Sequence, residues 1–211
     1  MSLPMFTVGR YHHPAEVGQD QEIMTVLTIS AELSGEPIRW RRSFVIADSP
    51  LIEGFCVLQG RSAEAVARFE TNCRIPYTEV REVHEALGPR SGRGPDIVGD
   101  GETLYLVERE AFAWSLDELV ASNRALVSPG VSWLRSYLDS ERGTGKCIFA
   151  ATSEADLRAA LAPVPGLVRR IAAVTSDHPA NWADTFERMW LPRPSEAEEE
   201  GADTTALAPP R

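Results

Sequence analysis

The sequence predicts an α+β protein made of two ferredoxin-like βαββαβ units, packed as an intramolecular pseudo-dimer that resembles an αβ-barrel and followed by a C-terminal helix. Three observations predict this fold class: the same order of elements occurs twice, matching residues recur in that order, and a segment rich in Gly, Pro and Asp separates the copies. The predicted segments are a first repeat over 1–87, a linker over 88–101, a second repeat over 102–176, a helix over 177–191 and a disordered acidic tail over 192–211.

The first repeat begins with a predicted strand, Met5–Tyr11, and then follows the βαββαβ order. Its remaining predicted elements are a helix over Gln19–Leu33, strands over Ile38–Val45 and Gly54–Leu58, a helix over Ala63–Asn72 and a strand over Thr78–His84.

The second repeat has the same order with clearer helix signals. Ser115 and Glu118 have the spacing of a capping box, and Ser153 has the position of a helix N-cap. The predicted elements are strands over Thr103–Glu110, Val131–Leu138, Cys147–Ala151 and Leu167–Val174, and helices over Ser115–Leu126 and Ser153–Leu161.

The two repeats also share individual residues at matching positions. The matched pairs, with the first repeat named first, are Trp40 and Trp133, Arg42 and Arg135, Ser43 and Ser136, Cys56 and Cys147, and Arg10 and Arg109. A chance similarity of secondary structure would not also align these residue types, so the matches indicate an internal duplication.

Strand alternation predicts which side chains share a face in the second repeat. Two predicted faces result, one with Trp133, Arg135 and Tyr137 and the other with Leu134, Ser136 and Leu138. Because both faces carry bulky residues, the sheet needs helices on one side and a second sheet on the other, which favours a barrel-like pseudo-dimer.

Composition excludes two classes of partner. The net charge of −10 would repel a phosphate backbone, so we expect no nucleic-acid binding. No stretch approaches the ~18 apolar residues that cross a bilayer, and no signal peptide follows Met1, so we expect a cytoplasmic protein without a membrane segment. The three cysteines are expected to be reduced, with Cys56 and Cys147 as inert core thiols and Cys73 more exposed.

The repeated motifs resemble those of a known family. They are Val107-Glu108-Arg109 in the first strand, an aromatic-x-Arg-Ser second strand, a cysteine-containing third strand, Ser-x-Glu-Ala-Val and a turn centred on Pro. This pattern is similar to small actinobacterial domains of unknown function typified by a nickel-binding protein. The resemblance implies a ferredoxin-like fold, association as dimers and a divalent metal such as nickel as the candidate cofactor.

Imidazole nitrogens suit nickel, so the metal candidates are His12, His13 and His84. Consecutive residues of a strand point to opposite faces, so His12 and His13 diverge unless the chain turns at Pro14. His84, at the end of the last strand of the repeat, is expected to lie roughly 20 Å from His12. A single three-histidine site would therefore require pairing between units or chains.

The strand arginines and their neighbours are the candidates for binding a small molecule. An inward arginine beside an aromatic ring could bind a carboxylate or phosphate, although an Arg–Glu pair within the sheet is the simpler interpretation. The candidate ligand-binding residues are Arg10, Trp40, Arg42, Glu108, Arg109, Trp133 and Arg135.

Three functions remain open from sequence. The first is a non-enzymatic protein that binds a small ligand or divalent metal, as a monomeric pseudo-dimer or a homodimer. The second is a cofactor-independent enzyme of the dimeric αβ-barrel type, such as a small monooxygenase or isomerase, although no catalytic motif supports an enzyme. The third is an interaction module that uses the apolar stripe of the C-terminal helix, formed by Trp182, Phe186, Met189 and Trp190.

Overall fold

Strands dominate the computed structural model, which describes residues 3–16, 38–91, 96–110, 115–126, 128–163 and 167–182. The strands within these ranges are β1 (Met5–His12), β2 (Arg39–Ile46), β3 (Ile52–Gln59), β4 (Val80–Leu87), β5 (Thr103–Glu110), β6 (Val131–Asp139), β7 (Thr144–Ala151) and β8 (Leu167–Asp177). The helices are α1 (Ala63–Cys73), α2 (Leu116–Ala125) and α3 (Glu154–Leu161).

The strands close into one antiparallel barrel in the order β1-β3-β2-β8-β5-β7-β6-β4. Each repeat contributes four neighbouring strands in the ferredoxin-like order, β4-β1-β3-β2 and β8-β5-β7-β6. Two seams join the repeats, β2 with β8 and β4 with β6. The predicted α+β fold of two such units forming an αβ-barrel is therefore confirmed, and both repeats belong to one compact unit, Met1–Asn181.

The seams explain where two strands differ from their predicted bounds. β8 runs to Asp177, three residues past its predicted end, because Val174 to Asp177 pair with β2. β4 runs to Leu87, because His84 to Leu87 pair with β6. Pairing with the other repeat thus extends both strands beyond the ends that the local sequence pattern predicts.

The helices begin at the residues that the capping signals predict. Ser115 and Glu118 form the predicted capping box of α2, and the Ser153 side chain accepts the backbone N–H of Asp156 at the start of α3. Ser62 caps α1 in the same way, by accepting the N–H of Ala65. These side-chain oxygens satisfy backbone donors that the first helical turn leaves without partners.

Two layers of apolar side chains cover the two faces of the sheet. The barrel interior holds residues from both repeats, and the ring centroids of Phe44 and Phe55 lie 5.1 Å apart, with Tyr137 edge-on to Phe55 at 5.7 Å. The outer layer of the second repeat packs α2 and α3 against the sheet. Its fully buried residues include Leu119, Trp133, Cys147, Phe149 and Leu157.

The predicted alternation along β6 is wrong at its start. The pairing of β6 with β7 shifts between Trp133 and Arg135, which is the signature of a β-bulge. Trp133 consequently packs with Leu138 in the outer layer, whereas Leu134 packs with Tyr137 in the barrel interior. β2 has the same irregularity between Trp40 and Arg42.

Several predicted segments lie outside the described residues, namely the helix over Gln19–Leu33, most of the C-terminal helix and the tail over 192–211. Residues 179–182 begin that C-terminal helix, and His178 accepts the backbone N–H of Ala180 through Nδ1 at 3.1 Å. Within the described part of the chain, no helix is long and apolar enough to cross a membrane.

Candidate ligand sites at the two ends of the barrel

One end of the barrel, called here the closed end, holds a buried ionic cluster. Its core is Asp96, a linker residue whose side chain is only 2% exposed. Oδ2 of Asp96 accepts Nη1 of Arg42 at 2.9 Å, and Oδ1 accepts Nε of Arg135 at 2.9 Å and also contacts its Nη2. A single carboxylate therefore bridges the matching arginines of the two repeats.

The cluster continues into the barrel through Glu85 and Tyr137. Glu85 accepts Nη1 of Arg135 at 2.9 Å. The Tyr137 hydroxyl is buried and has no hydrogen-bond partner among the described residues, and burial raises its pKa. Burial also lowers the pKa of Arg42, whereas at Arg135 the effect of burial is outweighed by Tyr137, Asp96 and Glu85, which raise the pKa.

The linker is held close to β6 where it leaves β4. The Gly88 N–H donates to the Leu134 carbonyl at 2.6 Å, and a Cβ on Gly88 would lie 2.1 Å from the Trp133 carbonyl oxygen, so only glycine fits this approach. Arg90 then donates to both carboxylate oxygens of Glu102, at 2.9 and 2.8 Å. The sequence predicted a linker with few side chains that could be buried. Asp96 corrects that expectation, because its carboxylate is buried and neutralised by Arg42 and Arg135.

The opposite end, called here the open end, contains two neighbouring cavities. The larger has a volume of about 510 Å³ and the smaller about 300 Å³, and both lie within the range of small-molecule sites. Glu79, Glu108 and Lys146 line both cavities, so they stand where the two meet.

Most charges around the open end are already paired. Glu79 accepts from Arg81 at 3.3 Å and from Arg142 at 3.0 Å. The remaining pairs are Arg169 with Glu110 and Arg170 with Glu53, and the Arg170 hydrogen bond lowers the pKa of Glu53. Asp139 accepts the backbone N–H groups of Glu141 and Arg142, both at 3.0 Å.

Glu108 and Lys146 differ from these paired groups. They are half-buried and directly opposite each other in the β5–β7 ladder. Among the described residues neither forms a hydrogen bond or an ion pair, and Lys146 Nζ lies 5.6 Å from the centre of the Phe55 ring. The open end therefore presents one carboxylate and one ammonium group that form no hydrogen bond or ion pair with the described residues.

The duplication makes this pair specific to the second repeat. Gly9 and Phe55 occupy the positions that match Glu108 and Lys146, and they too are directly opposite each other, in the β1–β3 ladder. All four residues line the smaller cavity. Since the first repeat carries no charge at these positions, the site is asymmetric although its scaffold is duplicated.

The predicted tryptophans are buried and donate to serines of their own strands. Trp133 Nε1 donates to Ser136 Oγ at 3.0 Å, and Trp40 Nε1 donates to Ser43 Oγ at the same distance. Trp133 packs in the layer between sheet and helices, because the β-bulge beside it turns it away from the barrel interior. Neither tryptophan lines the cavities of the open end, and ligand binding by them stays a prediction.

Arg10 and Arg109 are likewise held by the outer layer. Arg10 Nη2 donates to both carboxylate oxygens of the buried Glu70 on α1, at 2.9 and 2.8 Å. Arg109 Nη1 donates to Asn123 of α2 at 3.0 Å, and burial lowers the pKa of Arg109. Helix side chains therefore hold both arginines, and each also lines one cavity of the open end, Arg10 the smaller and Arg109 the larger. Ligand binding by these arginines stays a prediction.

The other predicted ligand-binding residues do face the barrel interior. Arg42 and Arg135 lie at the closed end, and Glu108 lies at the open end. Asp96, Lys146 and the Tyr137 hydroxyl were not predicted as site residues. Of these, only Lys146 stands out in the sequence, because it is the single lysine among 21 basic residues.

The three predicted metal-binding histidines are not brought together. Met5 of β1 is opposite Val83 of β4, so His84 lies eight positions along the strand pair from His12, roughly 26 Å away. The exposed His13 accepts the N–H of Ala15 in a turn at 3.1 Å. Within the described ranges, no three His, Cys, Asp or Glu residues are close enough to hold a metal ion, so the residues present do not fit the nickel site that the resemblance implies.

None of the three cysteines forms a disulfide, and all three are buried. The expectation that Cys73 is more exposed is wrong, because it faces the core from α1, and burial, with a smaller effect of the Glu70 charge, raises the pKa of Cys73 to about 12. Burial also raises the pKa of Cys147. Neither Cys73 nor Cys147 therefore has the low pKa of a reactive nucleophile.

The chain matches no protein-family model and no curated protein. Among solved structures, it is similar to a candidate monooxygenase from Lactobacillus acidophilus, with 10% identity and a TM-score of 0.46 over 82% of this chain and 94% of that one. It is also similar to a mutant chlorite dismutase from Candidatus Nitrospira defluvii, with 13% identity and a TM-score of 0.48 over 88% of this chain and 96% of that one. The strand order, and not these distant similarities, shows the fold of the chain.

Proposed function

We propose that the protein is a small-molecule binding protein whose ligand occupies the open end of the barrel. The observation that supports this most is that Glu108 and Lys146, where the two cavities meet, form no hydrogen bond or ion pair with the described residues. Half-buried charges without partners are unfavourable for stability alone. A polar ligand that enters the cavities would neutralise them.

The closed end is a weaker candidate, because its anion-binding groups are occupied. Arg42 and Arg135 already bind the carboxylate of Asp96, and Glu85 supplies a further negative charge. An external anion would have to displace an aspartate that is attached to the chain and nearly inaccessible to solvent. We therefore assign the closed end to stability and the open end to binding.

Thermal stabilisation by defined compounds tests this proposal. The wild type is heated with single amino acids, carboxylates, amines, sugars and nucleosides, and the measurement is repeated with Thr144→Trp, which places a large ring in the larger cavity. A ligand at a hundred times its Kd stabilises the folded state by about 2.7 kcal/mol. The proposal requires a compound that raises the Tm of the wild type and not that of Thr144→Trp.

A matched control separates occlusion from general damage. Ser132→Trp introduces the same ring on β6 at a residue that does not line either cavity. It should keep the ligand response. If no compound class stabilises the wild type, or if every stabilising compound acts equally on Thr144→Trp, the open end is not a binding site.

A further inference from the structure

We infer that the ligand of the open end is a zwitterion, with an ammonium and a carboxylate group close together, as in a free amino acid; this inference rests on the function proposed above. Glu108 and Lys146 are cross-strand partners, so their backbones are about 5 Å apart. Their charged groups nevertheless form no ion pair in this structure. A ligand ammonium beside Glu108 and a ligand carboxylate beside Lys146 would pair both groups at once.

The surrounding charges favour this class over singly charged ligands. Arg170 interacts electrostatically with Glu108, but Arg170 is bound to Glu53. Glu79, which also lines both cavities, is bound to Arg81 and Arg142. An anion would therefore leave Glu108 without a counter-charge, and a cation would leave Lys146 without one.

Phe55 helps to define where the ligand carboxylate would lie. Its ring packs in the barrel interior against Phe44 and Tyr137, and it contacts the Lys146 ammonium group by a cation–π interaction. This contact holds Lys146 beside the smaller cavity without consuming its hydrogen-bond donors. Because Gly9 and Phe55 replace the charged pair in the first repeat, the inference also gives one site per chain.

Three probes with related skeletons test the inference: L-alanine carries both charges, propionate only the negative one and ethylamine only the positive one. Their affinities are measured by ligand-observed NMR titration with wild type, Glu108→Gln, Lys146→Met and the control Glu82→Gln, which alters an exposed glutamate of β4. We expect alanine to bind at least about tenfold more tightly than either other probe, since each charged contact contributes about tenfold or more. Glu108→Gln should remove the preference for alanine over propionate, and Lys146→Met should remove the preference for alanine over ethylamine, while Glu82→Gln should keep both.

Each alternative result has a definite meaning. Propionate or ethylamine binding as tightly as alanine would overturn the zwitterion inference and leave the proposed binding site standing. Alanine binding that is unchanged in both Glu108→Gln and Lys146→Met would also overturn it. If none of the three probes binds, the zwitterion inference is overturned. The proposed function is tested separately, by the thermal stabilisation of wild type and Thr144→Trp with the wider set of compounds.

Discussion

Removal of the Asp96 carboxylate should strongly destabilise the barrel, because it breaks the buried ionic cluster at the closed end. Asp96 contacts Arg42 and Arg135, and all three side chains are at most 3% exposed. Removing one partner of a buried ion pair costs about 3–5 kcal/mol, since the remaining charge stays buried without its counter-charge. Glu85 still neutralises part of Arg135, so the lower half of that range is expected for Asp96→Ala.

The assay is equilibrium unfolding in urea, followed by circular dichroism and checked by thermal unfolding. For a chain of this size each kcal/mol corresponds to roughly 2–4 °C, so a loss of about 3–4 kcal/mol lowers the Tm by about 6–16 °C. Asp96→Asn keeps the size of the side chain and should lose most of the same stability. Asp100→Ala, an exposed change in the same linker, should unfold like the wild type.

Sodium acetate provides an independent check on the cause. Acetate is a free carboxylate, and it should raise the Tm of Asp96→Ala more than sodium chloride does at equal ionic strength, with no such difference for the wild type. An Asp96→Ala protein within about 0.5 kcal/mol of Asp100→Ala would refute the reasoning, because surface substitutions have effects of that size.

Four further predictions follow from the same structure. The protein should be a 23.2 kDa monomer by light scattering, since the described strands close into a barrel within one chain and none of them has a free edge for a second copy; a stable dimer would contradict this. None of the three cysteines should react with a thiol reagent at pH 8 in the native state, and all should react in guanidinium, because burial raises the pKa of Cys73 to about 12 and encloses the others. The Arg90 hydrogen bond lowers the pKa of Glu102, so this carboxylate stabilises the folded state at pH values above the ordinary glutamate pKa, and the stabilisation is lost as the pH falls through the lowered pKa. Glu102→Gln should therefore make unfolding less dependent on acid pH, and an unchanged pH profile of stability would contradict this. Equilibrium dialysis against nickel should leave substoichiometric metal, because the histidines do not converge, and one firmly bound nickel per chain would contradict that expectation.

The candidate sites were predictable only in part, for reasons that particular residues make clear. Inward-facing Arg42 and Arg135 follow from the repeat pattern, but their partner Asp96 lies 54 and 39 residues away in a linker that has no pattern of burial. Lys146 and Glu108 are separated by a helix and a strand, and only their pairing across β5 and β7 brings them to one cavity. The face of Trp133 was predicted wrongly, because the β-bulge between Trp133 and Arg135 shifts the alternation of β6.

The sequence by itself determined the duplication, the order of the elements and the helix starts, because these depend on local patterns and capping residues that act over a few positions. Closure into a single barrel and the extended ends of β4 and β8 were decided by pairing between the repeats. The β-bulges of β2 and β6 lie in strand pairs within each repeat. The tertiary structure alone also decided which charges were neutralised. Asp96 neutralises the matching arginines at one end, whereas Glu108 and Lys146 form no ion pair with any described residue at the other, since charge pairing depends on distances in space that sequence spacing does not encode.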